Sequence, residues 1–271
     1  ERTSLSSMGR KERIMIVFVG AGPGAWDLIT VRGQNYLREA DIIIYAGSLV
    51  NPKLLDVKKE DCVVYNSALM TLEEIIYVMV AGERERKEVV RLHTGDPCLY
   101  GAIQEQMDAL EQEGIPYEIC PGVSSFCGAA SALETEYTLP GISQSVVITR
   151  MAGRTPVPKR ESIQSFAAHR ATMVIFLSTG MLAELAEELT AGGYPGDTPA
   201  AIVYKATWPE EKVCRCTIDS LATTAEKEKI TKTALIIVGR VLDSEYQRSE
   251  LYNPDFTTEY RRASRGVKDN E

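Results

Sequence analysis

The sequence predicts two α/β domains, the first with a mostly parallel sheet and the second with a mixed sheet. Short apolar segments rich in β-branched residues alternate with segments of helical periodicity along most of the chain. A Leu-Pro-Gly sequence at 139–141 interrupts this alternation, which resumes at residue 145. Because 271 residues suffice for two domains of ordinary size, we place a domain boundary at this interruption.

The first half of the chain provides the elements of a parallel sheet. Residues 14–20 are apolar and end in glycine, which is typical of a buried parallel strand, and Thr30 can cap the helical segment at 28–39. The other predicted strands are 41–45, 63–65, 88–94 and 117–120, and the other predicted helices are 72–82 and 103–113. Since strands and helices alternate, we expect parallel strands with helices on both faces.

The second half of the chain predicts a mixed sheet. Segments 200–204 and 212–218 flank the turn-forming residues 207–209 (TWP) and can pair as antiparallel strands. The other predicted strands are 145–149, 172–177 and 233–239, and the predicted helices are 163–169, 181–191 and 220–229. The resulting division is a flexible leader at 1–13, an N-terminal domain at 14–139, a C-terminal domain at 143–241 and a charged tail at 242–271.

Composition and charge exclude several classes of protein. Acidic residues outnumber basic ones by 38 to 30, and the net charge of -8 argues against nucleic acid as a partner. No apolar run approaches the roughly 20 residues of a membrane span, and the leader lacks the apolar centre of a secretory signal. Six cysteines are scattered rather than framing short loops, so we expect free thiols in a cytoplasmic protein.

The sequence does not fit the motifs of several other classes of enzyme. The glycine-rich turn at 20–24 (GAGPG) lets the backbone approach a ligand, but its third glycine comes too early for a dinucleotide-binding dehydrogenase. His93 and His169 have no neighbours at metal-ligand spacing, and Cys214 and Cys216 alternate across a predicted strand. We expect no metal bound by the protein. The usual phosphate-loop and serine-hydrolase motifs are also missing from the sequence.

Three longer motifs at strand ends resemble one family. Residues 19–33 (VGAGPGAWDLITVRG), 91–101 (RLHTGDPCLYG) and 120–130 (CPGVSSFCGAA) are similar to the signatures of the tetrapyrrole methylases. Ligands of open parallel sheets collect at the carboxyl ends of the strands, so the placement of the motifs agrees with the resemblance. The resemblance covers about residues 15–241.

The resemblance implies an S-adenosylmethionine-dependent methyltransferase, whose cofactor binds in an active-site cleft between the two domains. In the first domain it implies cofactor contacts at Pro23, Gly95, Asp96, Leu99, Ser124 and Ser125. In the second domain it implies cofactor contacts at Leu177, Tyr204, Ala206, Ala234 and Leu235. Without the resemblance, we would predict that Leu177, Ala234 and Leu235 belong to the hydrophobic core.

Two of these assignments also have a physical argument and an alternative. An aspartate on a loop between strand and helix, as at position 96, can accept hydrogen bonds from an ammonium group, but it can equally cap the next helix. The hydroxyls of Ser124 and Ser125 can hold polar ligand atoms near a helix N-terminus, and helix capping is again the alternative.

Within the family, residues 45–55, 143–158 and 172–177 resemble the C(11)-methylating members in particular. Ala46 stands where uroporphyrinogen methylases usually have aspartate. The resemblance therefore implies methylation of precorrin-4 or cobalt-precorrin-4 at carbon 11 in cobalamin biosynthesis. The alternatives are another ring carbon, an RNA or modified protein substrate, or a sensor that only binds the cofactor. Acidic net charge speaks against RNA.

A tetrapyrrole carries many carboxylates, which calls for local basic residues in an acidic protein. Arg150 and Arg154 lie in a loop rich in glycine and proline just after the first strand of the second domain, and we predict that they bind the substrate. Further candidates are Arg32, Lys159, Arg160 and Lys205. The alternative is a solvated basic surface. Family resemblance also leads us to expect a homodimer.

Overall fold

The computed structural model describes residues 16–243 and 245–263. The predicted leader at 1–13, the first two residues of the predicted strand at 14–20, and residues 244 and 264–271 of the predicted tail lie outside the described residues. The strands are β1 Ile16–Gly20, β2 Ile42–Tyr45, β3 Val63–Asn66, β4 Val89–His93, β5 Tyr117–Cys120, β6 Val146–Arg150, β7 Thr172–Phe176, β8 Pro199–Tyr204, β9 Lys212–Thr217 and β10 Ala234–Val238. The α-helices are α1 Val31–Glu39, α2 Leu72–Arg84, α3 Gln104–Gln112, α4 Ser125–Leu133, α5 Ile163–Ala167, α6 Leu182–Ala191 and α7 Leu221–Glu228.

The chain forms two compact units. The first unit runs to Gly128 and also includes Thr207–Pro209, while the second holds Ala129–Ala206 and continues from Glu210. The division falls inside α4, ahead of the boundary that we placed at 139–143. The domain limits derived from the sequence stay a prediction.

The first unit contains a five-stranded, fully parallel sheet in the order β3-β2-β4-β1-β5. Successive residues of a strand point to opposite faces, so each face has its own apolar cluster. Val17 and Val19 of β1 pack on the side of α1, whereas Ile16 and Phe18 pack on the side of α2 and α3. The predicted parallel sheet with helices on both faces is confirmed.

The order of these strands creates a switch point between β1 and β4. The chain leaves β1 through α1 toward β2 on one side, and it leaves β4 through α3 toward β5 on the other. Loops that diverge from neighbouring strands open a crevice at the carboxyl edge of the sheet, which is the usual ligand site of open α/β sheets. The glycine-rich turn and the Gly-Asp-Pro loop follow β1 and β4.

The second unit contains a five-stranded mixed sheet in the order β6-β7-β10-β8-β9. Only β6 and β7 pair in parallel; the other neighbours are antiparallel, and Tyr204 pairs with Lys212 across the predicted turn. The predicted mixed sheet is confirmed. Because β10 runs opposite to β7 and β8, its first residues lie at the same edge as the ends of those two strands.

Local sequence signals explain where elements begin. Thr30 accepts a hydrogen bond from the Gly33 N–H at 3.0 Å, so α1 starts at Val31 rather than at the predicted residue 28. Residues Trp26–Leu28 form a separate 3₁₀ turn. All six cysteines are free thiols. Within the described residues, no helix combines the length and the apolar character needed to cross a membrane.

Candidate functional site

Three glycines meet backbone to backbone at the carboxyl edge of the first sheet. A Cβ atom built on Gly20 would lie 2.5 Å from the Gly122 Cα and 2.7 Å from the Gly95 carbonyl oxygen. Real Cβ atoms do not approach other atoms so closely, so any larger residue would separate the loops. The three motifs found in the sequence are therefore brought together by contacts that only glycine permits.

The glycine-rich turn and the Gly-Asp-Pro loop are also joined by hydrogen bonds. The Gly95 N–H donates to the Gly22 carbonyl at 2.9 Å, and the Gly22 N–H donates back to the Gly95 carbonyl at 3.2 Å. Gly95 has a φ of +61°, a left-handed conformation that favours glycine. A Cβ built on Gly95 would make ordinary van der Waals contact with the start of α4, at 3.5 Å from both the Ser124 Cα and the Ser125 nitrogen.

Asp96 ties two of these loops together. One carboxylate oxygen accepts from the Cys98 N–H and the other from the Gly122 N–H, each at 2.8 Å. Partial burial raises the pKa of Asp96, but the hydrogen bonds from Cys98 and Gly122 outweigh it, and the pKa lies below its ordinary value. The carboxylate is thus held ionised. It does not cap α3, which begins at Gln104 after Ile103.

The other residues that we predicted for the first unit lie around this contact. Pro23 is buried and faces the position where Gly128 of α4 would carry a side chain. Leu99 is half-buried in the loop after Asp96. Ser124 is buried directly before α4, and its carbonyl accepts from the Cys127 N–H at 3.0 Å. The structure therefore places these residues on neighbouring loops, while their contacts with a cofactor remain predictions.

Two further side chains, which our reading of the sequence missed, fix the loop after β2. Asn51 donates to the Gly24 carbonyl at 2.9 Å and accepts from the Lys53 N–H. Thr94 donates to the Leu49 carbonyl at 3.1 Å. The loop after β2 is thus tied to those after β1 and β4. The Asn-Pro pair at 51–52 is a turn signal that could have revealed the local contact of Asn51 with Lys53, but not its contact with Gly24.

In the second unit, ordinary residues adopt left-handed conformations at one edge of the sheet. Leu177 after β7 has a φ of +53°, Lys205 after β8 has +46°, and Thr233 before β10 has +59°. The Lys205 N–H donates to the Thr233 carbonyl at 3.0 Å. Such conformations cost about 1–3 kcal/mol each and cluster at functional sites.

The strained residues either belong to the positions that the family resemblance assigned to the cofactor or lie next to them in the sequence. Leu177 is itself one of them and is 68% exposed, which is unusual for leucine. The remaining predicted residues of this unit flank Lys205 and Thr233: Tyr204 is half-buried, and Ala206, Ala234 and Leu235 are buried. The Ala234 carbonyl accepts from the Thr179 hydroxyl at 3.1 Å.

The two predicted substrate-binding arginines differ. Arg150 braces its own loop, because its guanidinium donates to the carbonyls of Met151, Thr155 and Pro156 at 2.9–3.1 Å. Arg154 is exposed on that loop. The structure therefore gives Arg150 a role in shaping the loop and presents Arg154 to solvent.

The remaining basic candidates are distributed as follows. Arg160 pairs with Glu161 at 3.4 Å, and Lys205 pairs with Glu210 at 3.4 Å. Arg32 and Lys159 are exposed. The exposed pair of Arg160 and Glu161 contributes little to stability, whereas the Lys205 side chain is only 27% exposed.

Comparison with known proteins identifies the family. Residues 15–222 match the family model of the tetrapyrrole (corrin/porphyrin) methylases. A cobalt-precorrin-4 C(11)-methyltransferase from Methanocaldococcus jannaschii is 52% identical over 249 residues, covering 92% of this chain and 96% of the relative. A precorrin-4 C(11)-methyltransferase from Pseudomonas aeruginosa is 42% identical over 247 residues, covering 91% of this chain and 98% of that relative.

Solved structures agree. The X-ray structure of a cobalt precorrin-4 methyltransferase, a cobalamin biosynthetic enzyme, matches with a TM-score of 0.83 at 45% identity, covering 84% of this chain and 96% of that one. The uroporphyrin-III C-methyltransferase of Thermus thermophilus in complex with S-adenosyl homocysteine matches with a TM-score of 0.69 at 26% identity, covering 84% and 93%.

The α/β folds, the glycine-built loop cluster and these matches together define a methyltransferase. The chain belongs to the tetrapyrrole (corrin/porphyrin) methylase family. The resemblance found in the three sequence motifs is thereby confirmed.

Proposed function

We propose that this methyltransferase transfers a methyl group from S-adenosylmethionine to carbon 11 of precorrin-4 or cobalt-precorrin-4 in cobalamin biosynthesis. One observation carries the proposal. Relatives named for this reaction are 42–52% identical to the chain over about nine tenths of its length. A Bacillus subtilis uroporphyrinogen-III C-methyltransferase is only 32% identical over a similar share, which supports carbon 11 over another ring position.

The residues present fit S-adenosylmethionine. An ionised Asp96 suits the ammonium group of the methionine part, and Gly95 lets its loop lie close to the first residues of α4, whose N-terminus favours polar ligand atoms. We propose that Pro23, Leu99, Ser124 and Ser125 complete this part of the site. In the second unit, we propose cofactor contacts at Leu177, Tyr204, Ala206, Ala234 and Leu235, supported by the left-handed backbone beside them.

The chemistry asks little of the side chains. When bound, S-adenosylmethionine supplies an activated methyl group, and the reduced macrocycle supplies a nucleophilic carbon. The chain's own task is to hold the loops rigidly and to orient the two reactants. Orientation alone can lower the activation free energy by several kcal/mol. The glycine contact and the Asp96 tie give the first unit that rigidity.

Substrate carboxylates need cations. We propose that Arg154 binds one of them, because its guanidinium is exposed and can form bidentate hydrogen bonds. Arg150 contributes to the same task chiefly by shaping the loop that carries Arg154. We further propose that the enzyme acts in the cytoplasm as a homodimer without a bound metal of its own.

Incubation with S-adenosylmethionine and a single tetrapyrrole tests the reaction. Precorrin-4 and cobalt-precorrin-4 should each be offered separately, with uroporphyrinogen III as the control substrate, and the products weighed by mass spectrometry. We expect one added methyl group on at least one form of precorrin-4 and none on uroporphyrinogen III. Turnover of uroporphyrinogen III alone would contradict the proposal.

A further inference from the structure

A buried polar cluster lies beneath the loop that follows the Gly-Asp-Pro motif. Arg91 of β4 and Gln106 of α3 are 5% and 3% exposed, and the Arg91 Nε donates to the Gln106 side-chain oxygen at 3.0 Å. A second guanidinium nitrogen donates to the Ile44 carbonyl at 3.1 Å. The cluster therefore links β2, β4 and α3 in the interior of the first unit.

Burying the charge of Arg91 lowers the stability of the folded protein. Burial lowers the pKa of Arg91 to about 10, so the side chain stays charged at neutral pH. Its two hydrogen-bond acceptors, an amide and a carbonyl, are neutral. A buried charge held by neutral groups is destabilising compared with an apolar residue of similar size. Core packing alone gives no reason for an arginine here.

The cluster ends on the strained part of the loop. The Gln106 side-chain nitrogen donates to the Ala102 carbonyl at 2.9 Å. Ala102 has a φ of +50° and Tyr100 a φ of +57°, although neither is glycine. Between them, Gly101 lies so close to the Pro97 carbonyl that no side chain would fit. A conformation of this kind persists only where surrounding contacts hold it.

We propose that Arg91 and Gln106 are positioning residues, which hold segment 99–102 in its strained conformation so that Leu99 and its neighbours meet the cofactor. Arg91 orients the Gln106 amide by occupying its oxygen, and this leaves the nitrogen directed at Ala102. The loop leaves β4 at the switch point of the sheet, where small displacements reach the ligand directly. The inference rests on the proposed cofactor site.

Replacing Gln106 by glutamate tests the two hydrogen bonds of the amide separately. Ionised beside Arg91, a glutamate still accepts from the guanidinium but no longer donates to Ala102. We expect Gln106→Glu to keep a melting temperature near that of the wild type and to bind S-adenosylhomocysteine about tenfold more weakly, as when a loop is competent about a tenth of the time. The Michaelis constant for S-adenosylmethionine should rise with little change in kcat.

Gln112→Glu is the matched control, because it adds the same charge at the exposed end of the same helix. It should bind S-adenosylhomocysteine as the wild type does. Gln106→Met removes both hydrogen bonds at nearly constant volume, and it decides the matter if the glutamate variant does not fold. We expect weakened binding in the folded protein.

Calorimetry and thermal melting together separate the outcomes. A folded Gln106→Glu or Gln106→Met protein with wild-type affinity would overturn the positioning role, whatever its stability. Failure of the wild type to bind S-adenosylhomocysteine would instead overturn the proposed function itself.

Discussion

The loop edges of the two sheets are built in opposite ways. In the first unit, Gly20, Gly95 and Gly122 let three backbones touch, so the absence of side chains creates the site. In the second unit, Leu177, Lys205 and Thr233 keep their side chains and accept left-handed backbone strain. The comparison teaches that a ligand site can be shaped either by removing atoms or by forcing ordinary residues into unfavourable conformations.

We call the loop edges of the sheets in the first and second units the first edge and the second edge. Asp96 carries the negative charge of the first edge, and its removal should weaken cofactor binding strongly. Asp96→Ala removes a partly buried carboxylate that joins the loops after β4 and β5, and we expect a loss of S-adenosylhomocysteine affinity on the order of 2–5 kcal/mol. Isothermal calorimetry measures it. Asp56→Ala, which removes an exposed carboxylate of the same unit, serves as the control. An unchanged dissociation constant would mean that Asp96 neither meets the cofactor nor shapes its site.

Gly122→Ala tests whether the first edge depends on missing side chains. The added methyl group would collide with the backbone of Gly20 and Gly95, and we expect a loss of about 3 kcal/mol in the free energy of unfolding. Gly180→Ala in the second unit is the matched control, since nothing lies within 4 Å of its Cβ position. Denaturant unfolding should leave that control near the wild type. Equal losses in both variants would remove the contrast between the two edges.

The buried histidine below the first edge predicts a dependence of stability on pH. Burial and the charge of Arg91 lower the pKa of His93 from 6.5 to about 3. Between these values the unfolded chain binds a proton that the folded protein does not. Stability should therefore fall as the pH drops from 6.5, by up to about 1.4 kcal/mol per pH unit.

His93→Leu should flatten this dependence, even though it removes the stacking of the ring on Phe18, with centroids 6.1 Å apart. His169→Leu alters the other histidine of the chain, which is exposed, and should keep the wild-type slope. Urea unfolding at pH 7, 6 and 5 gives the slope of the free energy of unfolding against pH for each variant. A wild-type slope in His93→Leu would contradict this expectation, because it would mean that His93 binds protons equally in the folded and the unfolded protein.

At the second edge, relief of backbone strain should change stability only slightly. Thr233→Gly relieves a left-handed φ of +59°, and we expect a gain of about 0.5 kcal/mol after the entropy of glycine is subtracted. Thr231→Gly, two residues earlier and outside the left-handed region, should lose a few tenths of a kcal/mol by the same entropy effect. Thermal melting of the two variants shows whether each substitution raises or lowers the stability of the protein. A loss in Thr233→Gly would mean that its side chain contributes more than its strain costs.

The same contrast explains how much the sequence could predict. Alternating periodicity predicted the described strands and all the described α-helices except α4 to within a few residues, because each element buries one regular face. The loops of the first edge were readable as motifs, since glycine is the only residue that fits at Gly20 and Gly122. Thr30, whose hydroxyl caps α1, was a sequence signal for the start of that helix.

The second edge and the buried cluster left no such signal. Leucine at 177 and threonine at 233 occur anywhere in a sequence, and their left-handed conformations arise from tertiary contacts. The pairing of Arg91 with Gln106 joins a strand to a helix, and a charged residue within a predicted strand gives no indication of its buried partner. Likewise, the sequence placed Arg150 with the substrate, whereas its contacts with three backbone carbonyls depend on how the loop folds back.

The position of the transferred methyl group tests the proposed function most directly. The enzyme should be incubated with precorrin-4 or cobalt-precorrin-4 and S-adenosylmethionine labelled with carbon-13 in its methyl group, and the product examined by NMR. We expect a single labelled methyl group attached to carbon 11. A label on any other ring carbon, or a product without label, would contradict it.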